Sequence, residues 1–154
     1  MAERPRRLRR VQLSVPGSSE KMMAKAAASA ADHVFLDLED AVAPSAKVEA
    51  RGKIVTALKT LSWGRKTRCV RINDLTTKSA YGDIIMVVEN AGEHLDTIMV
   101  PKVLSGADVH FAATLLNQIE QNIGLNRRIG HLRHNSPPLS LPKISAHLCC
   151  TRHE

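Results

Sequence analysis

Five short apolar segments, each separated from the next by a helix-forming stretch, constrain the fold more than any other feature of the sequence. They begin near residues 11, 33, 68, 97 and 128, so consecutive starts lie 22, 35, 29 and 31 residues apart. Such spacing is typical of βαβ units, in which crossover helices join parallel strands. The sequence therefore predicts an α/β fold, closed either as a doubly wound sheet or as a (β/α)8 barrel.

The intervening stretches carry helix start and stop signals. Ser18 or Ser19 can cap a helix that runs from Glu20 to Ala31. Further helices are predicted at residues 45–61, 81–90 and 107–122. In the second helix, five apolar side chains are expected to share one face: Val48, Ile54, Val55, Leu58 and Leu61. A complete barrel needs about 250 residues, so this chain would hold a partial TIM barrel of about four βα units plus the start of a fifth strand.

Composition argues against several classes of partner. The formal net charge is +7, but aromatic residues make up only 3% of the chain and none alternates with the arginines of residues 4–10. Binding of nucleic acids combines basic surfaces with stacking rings, so we expect no nucleic-acid partner. We also expect no membrane partner and a cytoplasmic location, because no apolar run approaches the length of a membrane span and the three cysteines lack disulfide or zinc spacing.

Polar side chains follow each of the first four predicted strands. In chain order they are Pro16–Ser19, Asp37, Glu39, Asp40, Arg71–Asp74 and Pro101–Lys102. The carboxyl ends of parallel strands meet at one edge of a sheet, which is where α/β enzymes carry their active sites. We therefore predict that these groups surround one cavity. The alternative is that ion pairs among Asp37, Arg71 and Lys102 simply hold the rim together.

Arg71 is the strongest single candidate for a residue that binds the substrate. A guanidinium at a strand end can hold a carboxylate through two parallel hydrogen bonds, or it can pair with Asp37 or Asp40. Lys102 could stabilise an enolate or pair with Glu39. Lys25, on the first predicted helix, could reach a phosphate or could simply be solvated.

Six segments carry a resemblance to a known family. They are VQLSVPGS (residues 11–18), KAAASAAD (25–32), LDLEDAVAP (36–44), WGRK (63–66), VRIN (70–73) and DTIMVPK (96–102). In this order they resemble the citrate lyase β-subunit family of HpcH/HpaI aldolases, and within it the malyl-CoA and β-methylmalyl-CoA lyases most of all. The resemblance runs from about Arg10 to Gly130 and implies the N-terminal half of a TIM barrel.

The resemblance implies a reaction and a set of ligands. The reaction is a reversible, Mg²⁺-dependent cleavage of a 3-hydroxyacyl-CoA such as malyl-CoA into an acyl-CoA and a 2-oxo acid such as glyoxylate. Arg71 matches the arginine that holds the carboxylate of the oxo acid, and Glu39 and Asp40 match the acidic rim near the metal. Asp37 and Lys102 are expected to support these residues. Homo-oligomers are common in the family.

The resemblance also places coenzyme A near the first strand and helix. Ser14, Ser19 and Lys25 occupy positions that match its contacts. Ser19 departs from the basic residue of close relatives, which puts that phosphate contact in doubt, and Lys21 could substitute for it.

The sequence changes character after Gly130. Residues 131–154 hold four of the seven His and three of the seven Pro, and Glu154 is their only acid. We expect residues 1–10 to be a basic arm, residues 11–130 a lyase domain and residues 131–154 an unrelated, irregular tail. A zinc site is the rival interpretation of the tail, from His131, His134, Cys149 and Cys150.

Three hypotheses about function therefore stand side by side. The first is a truncated lyase domain that is inactive alone, because the metal ligands of the family lie beyond Gly130 and Mg²⁺ needs anionic ligands around it. The second is a non-catalytic half barrel that binds CoA or acyl-CoA. The third is a non-functional product, or a partner that completes a barrel with a second chain.

Overall fold

The computed structural model describes residues 10–125 and Ile129, and in them the predicted α/β fold is confirmed. Four parallel strands form one sheet in the order β1-β2-β3-β4, so each strand pairs with the next one along the chain. They are β1 (Gln12–Pro16), β2 (His33–Asp37), β3 (Thr67–Arg71) and β4 (Thr97–Met99). This unbroken order is that of a (β/α)8 barrel, whereas the order reverses in a doubly wound sheet.

A helix follows each strand, and each of the first three helices returns the chain to the start of the next strand. The helices are α1 (Glu20–Ala28), α2 (Lys47–Thr60), α3 (Ala80–Ala91) and α4 (Gly106–Asn122), with 3₁₀ turns at Pro44–Ala46 and Gly92–His94. Within residues 10–125, no helix combines the length and the apolar composition that crossing a bilayer requires. The predicted fifth strand lies outside the described residues, apart from Ile129, which is buried.

The core lies between the sheet and its helices. Alternate strand residues point to opposite faces, and one face is apolar: Val15, Val34, Leu36 and Val70 are all buried. Helix residues packed into the same cluster include Met23, Ile54, Leu58, Ile84 and Val87. The opposite face carries Ser14, Asp37 and Arg71 together with Phe35 and Cys69, so polar and apolar side chains share the side that a complete barrel would enclose.

Two sequence-based expectations about the helices are wrong. Helix α1 ends at Ala28 instead of Ala31, because the Ser29 hydroxyl donates a 2.7 Å hydrogen bond to the carbonyl of Ala26 and closes the last turn. Val48 is 70% exposed and does not share the core face of α2. The buried positions of that helix are Ala50, Ile54, Ala57 and Leu58, and a residue two places before Ala50 lies on the opposite side of a 3.6-residue turn.

Gly17 joins the ends of β1 and β2. Its backbone N–H donates to the carbonyl of Asp37 at 2.8 Å. A Cβ at this position would lie 2.5 Å from Cδ1 of Ile54 and 2.8 Å from the Asp37 carbonyl oxygen. The close approach of helix and strand therefore requires glycine here.

Replacing Gly17 by alanine should lower the free energy of unfolding by about 1–3 kcal/mol, because the new methyl group overpacks the junction. Gly52→Ala is the matched control, since a Cβ there meets nothing within 4 Å. In the interior of α2 it should raise the free energy of unfolding by about 0.5–1 kcal/mol. Urea denaturation followed by circular dichroism measures both, and a Gly17→Ala protein as stable as the parent would contradict the prediction.

Candidate functional site

An ion pair between the last residues of β2 and β3 lies at the centre of the carboxyl edge of the sheet. Asp37 and Arg71 are register partners, so their side chains lie on the same face. Arg71 donates from Nε to Oδ1 at 2.8 Å and from Nη2 to Oδ2 at 2.6 Å. Asp37 is completely buried and Arg71 is 21% exposed, so the pair is a two-pronged contact largely shielded from solvent.

Asp37 also shapes the loop that follows β2. Its carboxylate accepts the backbone N–H of Glu39 at 2.8 Å and that of Ala41 at 3.0 Å. Burial acts to raise the pKa of Asp37, but the hydrogen bonds from Arg71 and the two N–H groups outweigh it and hold the pKa below its ordinary value. The same pairing raises the pKa of Arg71, so both groups are charged over the physiological range.

Arg71 brings the other predicted acids to the site. Its Nη1 lies 3.3 Å from Oε2 of Glu39, and its Nη2 lies 3.5 Å from Oδ2 of Asp40. The guanidinium carbon also lies 5.6 Å from the centroid of the Phe35 ring. The three residues predicted to do the chemistry, Arg71, Glu39 and Asp40, are therefore neighbours, while their roles stay predictions.

Lys102 reaches the same acids from the exit of β4. Its Nζ lies 3.0 Å from Oε1 of Glu39 and 4.0 Å from Oδ1 of Asp40. The close ion pair with Glu39, followed by attraction to Asp40, raises the pKa of Lys102. The exits of β2, β3 and β4 thus contribute charged groups to one cluster, as the strand spacing predicted.

A partly buried series of polar contacts behind this cluster, which we call the relay, was not predicted from the sequence. Lys47, at the start of α2, donates from Nζ to the carbonyls of Leu38 and Glu39 at 3.1 and 3.0 Å, and also to Oδ1 of Asn73. These bonds tie the loop after β2 to the loop after β3. Lys47 therefore fixes the backbone from which the Glu39 side chain projects.

Asp83 completes the relay from helix α3. It accepts the backbone and side-chain N–H groups of Asn73 at 2.8 and 2.7 Å, and the Nε of Arg51 at 2.7 Å. An acid inside the otherwise apolar stretch at residues 83–88 is the signal that could have found it, because a buried carboxylate needs partners.

The residues predicted to hold coenzyme A do not join this cluster. Ser19 caps α1, with its Oγ accepting the N–H of Met22 at 3.4 Å. Ser14 and Lys25 are exposed, on β1 and α1 respectively. No ion pair or side-chain hydrogen bond described between residues 10 and 125 connects these three to Arg71 or Glu39. Their predicted contact with coenzyme A stays a prediction.

The described residues do not fit a complete Mg²⁺ site. Among residues 10–125 and Ile129, no group of three or more His, Cys, Asp or Glu side chains could hold a metal ion. Asp37, Glu39 and Asp40 are all engaged by Arg71, and the last two also by Lys102. The positions predicted for the metal ligands, beyond Gly130, and for the rival zinc site lie outside the described residues.

Comparison with known proteins finds one family. Residues 10–143 match the HpcH/HpaI aldolase/citrate lyase family model. The L-malyl-CoA/beta-methylmalyl-CoA lyase of Cereibacter sphaeroides is 47% identical over 125 residues, which are 81% of this chain and 39% of that protein. The chain therefore spans about two fifths of the length of the curated relatives it matches.

Solved structures show the same fold. CitE from Mycobacterium tuberculosis, in complex with magnesium, acetoacetate and coenzyme A, is 37% identical, with a TM-score of 0.56 over 66% of this chain and 35% of that one. A citrate lyase from Burkholderia xenovorans has a TM-score of 0.69 at 18% identity, over 77% of this chain and 38% of that one, which is a likeness of fold alone.

Asp37→Asn should lower the free energy of unfolding at neutral pH by about 3 kcal/mol or more, because it leaves Arg71 without its buried partner. It should also flatten the pH dependence of stability. A carboxylate with a lowered pKa stabilises the fold above the pKa of the unfolded chain, about 3.9, and that stability is lost as the pH falls through the folded value.

Denaturation between pH 2.5 and pH 7 measures both effects. Glu49→Gln is the matched control, because Glu49 is 70% exposed and its ion pair with Lys53 at 2.8 Å should contribute little to stability. If the parent and Asp37→Asn proteins lost stability equally as the pH fell below 4, Asp37 would not be the source of the acid sensitivity of the fold.

Proposed function

Because the chain belongs to the HpcH/HpaI aldolase/citrate lyase family, we propose that it forms the oxo-acid side of a carbon–carbon lyase site. The proposed reaction is the reversible, Mg²⁺-dependent cleavage of a 3-hydroxyacyl-CoA of the malyl-CoA type into an acyl-CoA and a 2-oxo acid such as glyoxylate. The observation that carries the proposal is the meeting of Arg71, Glu39, Asp40 and Lys102 at the carboxyl edge of the sheet.

Arg71 is the proposed anchor for the carboxylate of the oxo acid. A guanidinium has five N–H groups, and Asp37 takes two of them. The other three face Glu39 and Asp40 across looser ion pairs of 3.3 and 3.5 Å, which a substrate carboxylate can replace. Since Asp37 and Phe35 hold the guanidinium in place, its donors are oriented before the substrate arrives.

The charge balance of the cluster supports the need for a divalent cation. Three carboxylates, Asp37, Glu39 and Asp40, face two cations, Arg71 and Lys102, which leaves one net negative charge. That charge weakens the hold on an anionic oxo acid, and Mg²⁺ carried by the oxo acid itself would offset part of it. The ligands of the cation would come from residues outside those described, so the residues described here supply the grip on the carboxylate alone.

Coenzyme A is proposed to lie along the first βα unit. Ser14, Lys25 and Lys21 are all exposed there, and Lys25 is the proposed contact for a phosphate. The Ser19 hydroxyl is already engaged as a helix cap, so its proposed contribution is indirect. The bound magnesium and coenzyme A of the 37%-identical CitE structure support this class of ligand.

A non-catalytic module that binds CoA or acyl-CoA is the second candidate function. It is favoured by one observation, that the described residues hold carboxylate-binding groups without a set of metal ligands. Two proposals remain: a non-functional product, and a homo-oligomer in which a second chain completes the barrel. Light scattering of the purified chain distinguishes a monomer from a dimer.

Incubated with malyl-CoA and Mg²⁺, the chain on its own should show no turnover, because the metal ligands of the family are proposed to lie beyond Gly130, where this chain has Glu154 as its one acid. Chromatography of acetyl-CoA, glyoxylate and free CoA measures cleavage and separates it from hydrolysis. Robust release of acetyl-CoA would contradict this expectation. In that case Arg71→Lys should lower kcat/KM at least 100-fold, since lysine cannot replace two parallel hydrogen bonds.

Calorimetry tests binding without chemistry. Lys25→Ala should weaken the binding of CoA about 3- to 10-fold through the lost phosphate contact, whereas Arg71→Ala should leave CoA binding unchanged and abolish binding of glyoxylate with Mg²⁺. Lys78→Ala is the control, because Lys78 is an exposed lysine in the loop before α3. Absence of heat with CoA for the parent and all variants would rule out the binding module.

A further inference from the structure

Lys102 has the only positive φ of any non-glycine residue among residues 10–125 and Ile129, at 49°. The other two positive values in that part of the chain belong to Gly64 and Gly124. A side chain in this left-handed region is strained, because its Cβ crowds the following carbonyl oxygen. Strain of this kind persists where the surrounding structure or a functional contact requires it.

In the described part of the chain, the side chain of Lys102 contacts two acids of the rim. It lies 60% exposed immediately after Pro101, and its ammonium group contacts Glu39 at 3.0 Å and Asp40 at 4.0 Å. The contact with Asp40, which is itself 65% exposed, adds little stability. The strained backbone is therefore explained by the contact with Glu39, whose carboxylate is buried.

Glu39 is the group that depends on this cation. Its side chain is only 6% exposed, and neither carboxylate oxygen has a hydrogen bond of good geometry in the described part of the chain. Two ion pairs compensate its charge: one with Lys102 and one with Nη1 of Arg71 at 3.3 Å. Without Lys102, the buried carboxylate would rely on Arg71 alone.

We infer that Lys102 is a positioning residue whose ammonium holds Glu39, so that Arg71 stays available for the carboxylate of the substrate. Glu39 and an incoming carboxylate compete for the same Nη1. By compensating Glu39, Lys102 weakens that competitor and lowers the cost of exchanging it for substrate. This inference rests on the proposed function of Arg71 as the anchor of the oxo acid.

The first experiment measures the strain. In urea denaturation, Lys102→Gly should have an unfolding equilibrium constant about 5- to 30-fold smaller than that of Lys102→Ala, because both lack the ammonium and only alanine keeps the left-handed strain. At Lys78, whose φ is not positive, glycine should be no more stable than alanine. Equal stability of the two variants at position 102 would overturn the strain on which the inference depends.

The second experiment measures the competition by calorimetry with glyoxylate and Mg²⁺. Lys102→Asn, which tolerates the backbone conformation without a charge, should weaken binding at least 10-fold, and Lys102→Arg should stay within about threefold of the parent. Adding Glu39→Gln to Lys102→Asn should restore affinity to within about threefold, because the competing charge is gone. A loss that Glu39→Gln does not rescue, or no loss at all, would overturn the inference.

A parent protein that binds no glyoxylate would defeat the proposed function of this chain, and the inference would then be decided by stability alone. In a double-mutant cycle of Glu39→Gln and Lys102→Asn, the effects on the unfolding constant should depart from additivity by threefold or more. Additive effects would show that the two residues are not coupled and would overturn it.

Discussion

The buried ion pair between Asp37 and Arg71 is the interaction on which the rest of the site depends. It joins neighbouring strands at their carboxyl ends, where the register places both side chains on one face. The same carboxylate orders the loop after β2 through Glu39 and Ala41, and the carbonyl of Asp37 receives the N–H of Gly17. Asp37 therefore contacts the residues that follow or end three strands. A substitution at Asp37 would change the fold of the rim and the geometry of the site together.

The site keeps features that a sequence chosen for stability alone would avoid. Lys47 is a cation in the first turn of α2, where the helix dipole disfavours positive charge. Three oxygen acceptors surround its ammonium group and offset this cost. Asp83 is buried within an apolar helix, and Lys102 has a left-handed backbone conformation. Local rules are broken in this way mainly at functional sites, where the cost is offset by the placement of a reactive group.

The periodic features of the fold were predictable from sequence, whereas the connections through space were not. Strand spacing and the polar residues that follow each strand placed Arg71 beside Glu39 and Asp40, because parallel strands must end at one edge. Val48 misled the assignment of the α2 face because it is apolar and close to the buried positions in sequence. It lies two residues before buried Ala50, and therefore on the opposite side of the helix. The relay from Lys47 through Asn73 to Asp83 joins two helices through the loop after β3, and no periodicity in the sequence predicts such contacts.

The two cations of the rim differ in a way that suits them to different tasks. Arg71 is fixed by two hydrogen bonds and an aromatic ring, so it presents its remaining donors in one orientation. Lys102 is exposed and contacts its partners through a flexible side chain, so it can follow Glu39 as the charge around it changes. In the proposed function, the rigid fork of Arg71 would hold the planar carboxylate of a substrate, and the ammonium group of Lys102 would compensate Glu39, the acid that this carboxylate would displace. Arg71 ends β3 and Lys102 follows β4, so the spacing of these two strands in the sheet sets the distance between the guanidinium and the ammonium group.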